Sequence, residues 1–183
     1  QLNGNGKHCN WALSTDKGDN LLEPGDTPYK NSQFLAVMTA VMHAVYQHAE
    51  IMRASIATAG NDLRLGGQEA PPSIISVFLG KQLDEVFAAI ENNDYFEDKS
   101  KNSLFLGVSS LPRIQQDDTD RNRTSPFAFT GNKFEFRAVG GSVNVSVPVA
   151  ILNAAVAESC MLMTEYMKEK LSTMTPEDAL LST

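Results

Sequence analysis

The chain has 183 residues and a mass of 19.9 kDa, and its 42% hydrophobic and 20% charged residues are typical of one globular domain rather than a disordered protein. Its formal net charge of −7 argues against a nucleic acid or an anionic membrane as partner, because both need a basic surface. No apolar run approaches the roughly 20 residues of a bilayer crossing, and the polar N-terminus lacks a signal-peptide core, so we expect no membrane association.

The two cysteines and the first residue give two further expectations. Cys9 and Cys160 are too few for a disulfide framework, and free thiols suit a reducing compartment, so we expect a cytoplasmic protein. The sequence begins at Gln1 without an initiator Met and at once enters a glycine-rich stretch. The simplest interpretation is that the chain is a piece of a longer protein.

In chain order, the first half of the sequence predicts a strand, a loop and a long helix. Residues 7–14 follow a Gly-x-Gly turn and predict a strand, whereas Gly and Pro make 16–29 a loop. Apolar residues then recur at steps of three and four from an N-cap at Ser32 to a stop at Gly60. This pattern predicts a helix of about 28 residues, roughly 40 Å long. Paired glycines and prolines predict that residues 60–72 are irregular.

The second half predicts two helices and a strand separated by loops. The segments are a short helix or strand at 73–79, an amphipathic helix at 82–92, a surface loop at 93–103, a loop at 115–130, a strand at 130–139, and a helix at 149–171 with Pro148 at its first position. A final turn is predicted to start at Thr175.

Residues 113–137 form a cationic stretch in an otherwise acidic chain, with five basic and four acidic side chains. Arginine binds phosphate and carboxylate through its planar fork, so one interpretation is a small anionic ligand. The other is a solvated loop in which Arg and Asp pair with one another. The sequence leaves both open.

Charged side chains in three places could form a polar site. Lys133, Glu135 and Arg137 share one face of the predicted strand, as either a solvated edge or a cleft wall that holds a metal and an anionic substrate. His8 follows the glycine loop and is either a ligand or a buried, hydrogen-bonded histidine. Arg64 lies in a loop that a long helix would position, with Glu69 a few residues later.

Four motifs occur along the chain in a fixed order, namely Asn-Gly-Asn-Gly-Lys-His at 3–8, Gly-Asn-Asp-Leu-Arg-Leu through Glu-Ala-Pro-Pro at 60–72, Asp-Arg-Asn-Arg-Thr-Ser-Pro-Phe-Ala-Phe at 120–129, and Gly-Asn-Lys-Phe-Glu-Phe-Arg at 131–137. Together they resemble glutamine synthetase, most closely the large type III class. The likeness spans residues 1 to about 144, and the helix after Pro148 fits the order of the family.

The resemblance implies an α+β fold, namely a part of the glutamine synthetase catalytic domain over residues 1–183. Antiparallel strands would pack against long helices in an incomplete half-barrel, with the β-grasp domain and the first part of the catalytic domain upstream. The implied activity is ATP-dependent ligation of glutamate and ammonium through γ-glutamyl phosphate, with Mg²⁺ or Mn²⁺ as cofactor, in a homo-oligomeric ring. Because the family's other metal-binding glutamates lie upstream, we expect the isolated chain to be inactive.

The resemblance also implies roles for individual residues, which are metal ligation for His8 and Glu135; glutamate binding for Asn3, Gly4, Arg64 and Arg137; contact with the nucleotide or its phosphates for Asn10, Arg121, Arg123 and Lys133; and catalysis for Glu69 and Arg123. Glu69 would shield the intermediate and take a proton from ammonium. Arg123 would stabilise the transferring phosphoryl group. Asn10 stands where many relatives have a phosphate-facing histidine, and Arg121 could supply the phosphate contact instead.

Three alternative functions stay open at this point. One is a ligase of the same fold that joins glutamate to another amine. A second is a non-catalytic module that binds glutamate or a nucleotide, and a third is a structural interaction domain whose polar clusters are ordinary surface.

Overall fold

The computed structural model describes residues 6–67, 70–92, 125–173 and Thr175. Along the chain its elements are β1 (Cys9–Trp11), a 3-10 turn (Pro28–Lys30), α1 (Ser32–Gln47), α2 (Ala49–Ile56), α3 (Ala59–Arg64), β2 (Val77–Phe78), α4 (Lys81–Glu91), β3 (Phe127–Phe129), β4 (Phe134–Phe136) and α5 (Ser146–Lys170).

The four described strands form one open sheet in the order β1-β4-β3-β2. β4 pairs antiparallel with β1 on one side and with β3 on the other, and β2 pairs with β3 in parallel. The expected α+β fold is therefore confirmed, with a sheet that does not close. The expectation of antiparallel strands is wrong for one pair, because β2 and β3 run in the same direction.

Strand β3 lies inside the segment that the sequence analysis assigned to a loop, and that assignment is wrong at residues 127–129. All three residues of β3 are buried, so this strand has no solvated face. It therefore lacks the alternation of apolar and polar residues that revealed β4. A tight turn joins the two strands, with Gly131 at φ +97° and the Thr130 amide donating to the Lys133 carbonyl at 2.8 Å.

The period of two in β4 divides the sheet into an apolar and a polar face. On the apolar face the rings of Phe127 and Phe134 stack with their centroids 4.4 Å apart, and Phe136 meets Phe127 edge-on at 5.8 Å. Helices cover this face: Phe34 of α1 lies 5.8 Å from Phe129, ring to ring. The core therefore sits between the sheet and the helices, which leaves the other face free to carry polar groups.

The single long helix predicted over residues 32–60 is wrong, because the structure contains three helices there. Asn31, not Ser32, is the N-cap, and its side chain accepts from the Phe34 amide at 3.0 Å. The first break falls at His48, whose ring lies 2.8 Å from Glu158 of α5. Nothing in the hydrophobic period marks this break, since apolar residues continue across it.

Helix α3 occupies part of the segment predicted to be irregular, so the prediction for residues 60–72 is wrong at its start. Thr58 caps the helix by accepting from the Asn61 amide at 3.3 Å, and Asp62 stands in the first turn, where a negative charge is favourable. Gly60 is inside the helix rather than at its end. The short helix matters because it carries Arg64 at its last position.

Helices α4 and α5 agree with the prediction apart from their first residues. α4 spans Lys81–Glu91, and α5 begins at Ser146, so Pro148 is its third residue and not its first. Proline is tolerated there because the first four amides of a helix have no partner within it. Asn153 of α5 accepts a hydrogen bond from the Trp11 indole at 2.8 Å, which ties the helix to β1.

Helix α5 is the exception to the expectation that no segment is apolar enough to cross a bilayer. Among the described residues, α5 is long and apolar enough to cross a bilayer: it has 25 residues, and an 18-residue window has a mean hydropathy of 1.6. As a statement about composition, the expectation is therefore wrong. The core helix of a globular protein also passes this test, but only 28% of the apolar window of α5 is buried. Leu152 and Val156 are buried where α5 packs along α1, whereas Met161 and Leu162 are exposed.

Replacement of Asn31 by Ala is predicted to lower the free energy of unfolding by about 1 kcal/mol, because the first turn of α1 loses its side-chain acceptor. Ser32→Ala is the matched control and should change it by less than about 0.5 kcal/mol. Urea denaturation followed by circular dichroism measures both. Equal effects of the two substitutions would show that Asn31 is not the cap.

Candidate active site

The polar face of the sheet brings His8 and Glu135 together from positions 127 residues apart. The pairing of β1 with β4 sets Asn10 opposite Glu135, and His8 lies two residues before Asn10 on the same strand face. The Nδ1 atom of His8 is 3.2 Å from Oε1 of Glu135. The two side chains that the resemblance names as metal ligands are therefore neighbours in the structure.

Arg137 completes the cluster by binding the second oxygen of the same carboxylate. Its Nε donates to Oε2 of Glu135 at 2.7 Å, and its Nη2 lies 2.6 Å from that atom. Only 4% of Arg137 is exposed, and β4 is an inner strand. The solvated-edge interpretation of this strand is therefore wrong, and a wall of charged groups is correct.

The electrostatics of the cluster favour the ionised carboxylate. Burial raises the pKa of Glu135, but the hydrogen bond and charge of Arg137, aided by His8, outweigh burial and leave that pKa below its usual value. The His8 side chain is 62% exposed, so the interpretation of His8 as a buried histidine is wrong. One face of the pair is thus open to a ligand from solvent.

Arg64 approaches the same part of the fold from α3 and is 5% exposed. Its Nε donates to Asn61 Oδ1 at 2.9 Å, and its Nη2 donates to the Ala138 carbonyl at 3.1 Å, with the carbonyls of Arg137 and Val139 within 3.5 Å. Burial lowers the pKa of this guanidinium, which still stays charged at neutral pH. Within the described ranges its hydrogen-bond partners are all neutral oxygens, and no ion pair there cancels its positive charge.

The glycine loop makes room for Arg64. Gly6 bridges to Gly140, and a Cβ atom on Gly6 would lie 2.5 Å from Nη1 of Arg64. Any side chain at this position would therefore displace the guanidinium. This close approach explains why the residue at position 6 is glycine.

A cavity of about 650 Å³ opens beside Arg64. It is lined by Thr58, Gly60, Asn61, Arg64, Gly140, Gly141, Ser142 and Val143. Among the described residues this lining contains one cation and no carboxylate, so this part of the cavity favours an anionic or hydroxyl-bearing ligand. Lys7 stabilises the far wall through a hydrogen bond from its ammonium to the Val143 carbonyl.

The remaining predicted site residues divide into two groups. Asn10 is exposed beside the cluster, and Lys133 is partly exposed near the turn before β4, with its Nζ 3.4 Å from Asn132 Oδ1. Asn3, Gly4, Glu69, Arg121 and Arg123 lie outside the described residues. Sequence reasoning missed Asn61 as a site residue, although its position three residues before Arg64 on a helix is a usable signal.

Replacement of Glu135 by Gln is predicted to lower the free energy of unfolding by about 1.5–3 kcal/mol at neutral pH, because Arg137 loses a charged partner. A lowered folded-state pKa means that ionised Glu135 contributes its full stability above the unfolded-chain value of about 4.3. That contribution is lost as the pH falls through the lower folded-state value. The difference between the two proteins should therefore shrink in acid.

Denaturant titrations between about pH 7 and pH 3 measure this difference. Glu91→Gln, on the exposed end of α4, serves as the control and should shift stability by less than about 0.5 kcal/mol throughout. A difference for Glu135→Gln that stays constant over this range would contradict the assigned pairing.

Comparison with known proteins identifies the family, although no family model matches the chain. The type-3 glutamine synthetase of Dictyostelium discoideum is 51% identical over 178 residues, which are 97% of this chain and 24% of that protein. Glutamine synthetases of Bacteroides fragilis (strain YCH46) and Butyrivibrio fibrisolvens are 49% and 51% identical over 85% and 73% of the chain. The chain spans only about a fifth to a quarter of the length of these relatives. Over the part that it spans, the chain belongs to the glutamine synthetase family.

Proposed function

We propose that this chain is part of the catalytic domain of a glutamine synthetase, which joins glutamate and ammonium with ATP. The observation that carries the proposal is the contact of His8 with Glu135 beside the two buried guanidinium groups of Arg64 and Arg137. The reaction must bring two anions together, a substrate carboxylate and a nucleotide phosphate. A carboxylate–imidazole pair flanked by arginines provides binding groups for a cation and for both anions.

The donors at His8 and Glu135 fit a divalent cation. An imidazole nitrogen and a carboxylate oxygen suit Mg²⁺ or Mn²⁺, and the exposed ring of His8 leaves the pair accessible. The described residues contain no group of three or more His, Cys, Asp or Glu side chains that could hold a metal by themselves. We therefore propose that further ligands come from another part of the complete protein, and that this chain alone is inactive. A bound cation would neutralise negative charge on the phosphate oxygens.

Glutamate is the substrate that we assign to Arg64 and Arg137. In the part of the chain that the structure describes, neutral oxygens hold Arg64 and no acidic side chain lines its cavity, so we take its charge to be available to a substrate carboxylate. Arg137 is already paired with Glu135, and it therefore both orients that carboxylate and adds positive charge next to it. We propose that Asn3 and Gly4 line the same glutamate site.

The other roles rest on the family resemblance of the motifs. Asn10, Arg121, Arg123 and Lys133 are proposed to contact the nucleotide and its phosphates, with Arg123 stabilising the transferring phosphoryl group. Glu69 is proposed to take a proton from ammonium and to exclude water from the γ-glutamyl phosphate, which water would otherwise hydrolyse. The complete protein is proposed to act in the cytoplasm as a homo-oligomeric ring.

The ammonium-dependent reaction is preferred over ligation to another amine because the named relatives are glutamine synthetases. The two reactions share the phosphate machinery and differ in the amine pocket. An assay of the complete protein with glutamate, ATP and Mg²⁺ therefore tests the proposal, with ammonium in one arm and a polyamine in the other. Turnover only with the polyamine would overturn the assignment to glutamine synthesis, and no turnover with either would favour a binding module.

His8→Ala and Glu135→Gln are each predicted to weaken Mn²⁺ binding by the complete protein by roughly 10- to 100-fold, because each removes a ligand or its partner. Titration of the free Mn²⁺ signal by electron paramagnetic resonance measures the affinity. His48→Ala is the matched control, since this histidine contacts Glu158 of α5 instead. Unchanged Mn²⁺ affinity in both site variants would contradict the metal assignment.

Arg64→Lys in the complete protein is predicted to raise the KM for glutamate by roughly 10- to 100-fold, because lysine cannot reproduce the planar fork that binds a carboxylate. The KM for ATP should change by less than about threefold, which corresponds to under 0.7 kcal/mol. Arg53→Lys, in an ion pair with Asp62, is the control. Steady-state kinetics that show equal changes for glutamate and ATP would remove Arg64 from the glutamate site.

A further inference from the structure

Asn61 is a buried polar residue whose side chain makes three hydrogen bonds. It is 3% exposed, and its Nδ2 donates to the Ile56 carbonyl at 2.7 Å and to the Ala138 carbonyl at 2.8 Å. Its Oδ1 accepts from Nε of Arg64 at 2.9 Å. The amide therefore connects the end of α2, the segment after β4 and the guanidinium of Arg64.

These contacts fix Arg64 on two edges. Asn61 and Arg64 are three residues apart on α3, so their side chains lie on the same helix face. Asn61 holds the Nε edge, whereas the Ala138 carbonyl holds Nη2. The third nitrogen, Nη1, lies beside Gly6, where an added Cβ would come within 2.5 Å of it. The plane of the guanidinium cannot rotate without breaking one of these contacts.

The chemical type of residue 61 matters as much as its place. Asn61 accepts a hydrogen bond from Arg64 without bringing a negative charge, so it orients the guanidinium and leaves the positive charge for a ligand. An aspartate of the same shape would form an ion pair with Arg64 and compete with a substrate carboxylate. Arg137 shows the contrasting arrangement, since its charge is matched by Glu135.

We propose that Asn61 is a positioning residue for glutamate binding, which fixes the orientation of the Arg64 guanidinium while leaving its charge uncompensated. This inference rests on the proposed function of Arg64. It goes beyond that function by assigning a share of the affinity for the substrate carboxylate to a neutral amide that acts through Arg64. If Asn61 had only a structural role, its replacement would lower the free energy of unfolding but would not raise the KM for glutamate relative to the KM for ATP.

The test uses the complete protein and steady-state kinetics with glutamate and ATP varied separately. Asn61→Ala and the nearly isosteric Asn61→Asp are each expected to raise the KM for glutamate at least tenfold, with the KM for ATP within about twofold of the parent protein. In an Arg64→Lys background, Asn61→Ala should have less than about a twofold further effect on glutamate, because the group that it positions is already lost. Asp62→Asn is the matched control, because Asp62 lies on the same helix as Asn61 but pairs with Arg53 of α2.

Each outcome decides between the two roles. If neither variant folds, Asn61→Ser gives the decision and is expected to raise the glutamate KM likewise, because its neutral hydroxyl can still donate to a carbonyl but is too short to hold Nε of Arg64. A glutamate KM within twofold of the parent in the folded variants, or an equal rise for ATP, would overturn the positioning role. If Arg64→Lys raises the glutamate KM and the Asn61 variants do not, only this inference fails. If Arg64→Lys itself has no effect, the proposed function of Arg64 and this inference fail together.

Discussion

The antiparallel pairing of β1 with β4 is the constraint on which the candidate site depends. It sets Asn10 opposite Glu135. The antiparallel contact continues beyond β1, where the Lys7 amide donates to the Val139 carbonyl at 2.9 Å and Gly6 bridges to Gly140. A shift by one residue would turn Glu135 into the aromatic core and a phenylalanine onto the polar face. The stacked aromatic rings on the apolar side make that shift unfavourable, so the core fixes the register that the site needs.

The two buried arginines are stabilised in different ways. Burying a charge is costly unless it is paired or hydrogen-bonded. Arg137 meets this requirement with the carboxylate of Glu135, and the resulting pair is a fixed part of the wall. Within the described residues, Arg64 meets this requirement with neutral oxygens only. Such an arrangement suits a guanidinium that binds an anionic ligand. Among the described residues, the charge of Arg137 is thus matched by a carboxylate, whereas the charge of Arg64 is not.

Much of the site could be predicted from the sequence, but less of the local structure around it. The alternation in β4 revealed its charged face, and the motif resemblance brought His8 to Glu135, a contact that no local pattern indicates. The hydrophobic period of α1 continues through His48, so the break there was missed. The break coincides with the contact of His48 with Glu158 of α5, which is tertiary packing that no local pattern shows. β3 was missed because a fully buried strand has no polar face, and α3 because glycines outweighed the Thr58 cap.

The separation of 127 positions between His8 and Glu135 has a consequence for how the protein is made. Contacts between distant segments require closure of a long loop before any of their energy is gained, and proteins that depend on such contacts fold slowly. During synthesis β1 leaves the ribosome long before β3 and β4 exist, so Trp11 lacks until then the rings of Phe127 and Phe134 against which it packs. The chemistry of this surface therefore cannot begin to assemble until three quarters of the segment has been translated.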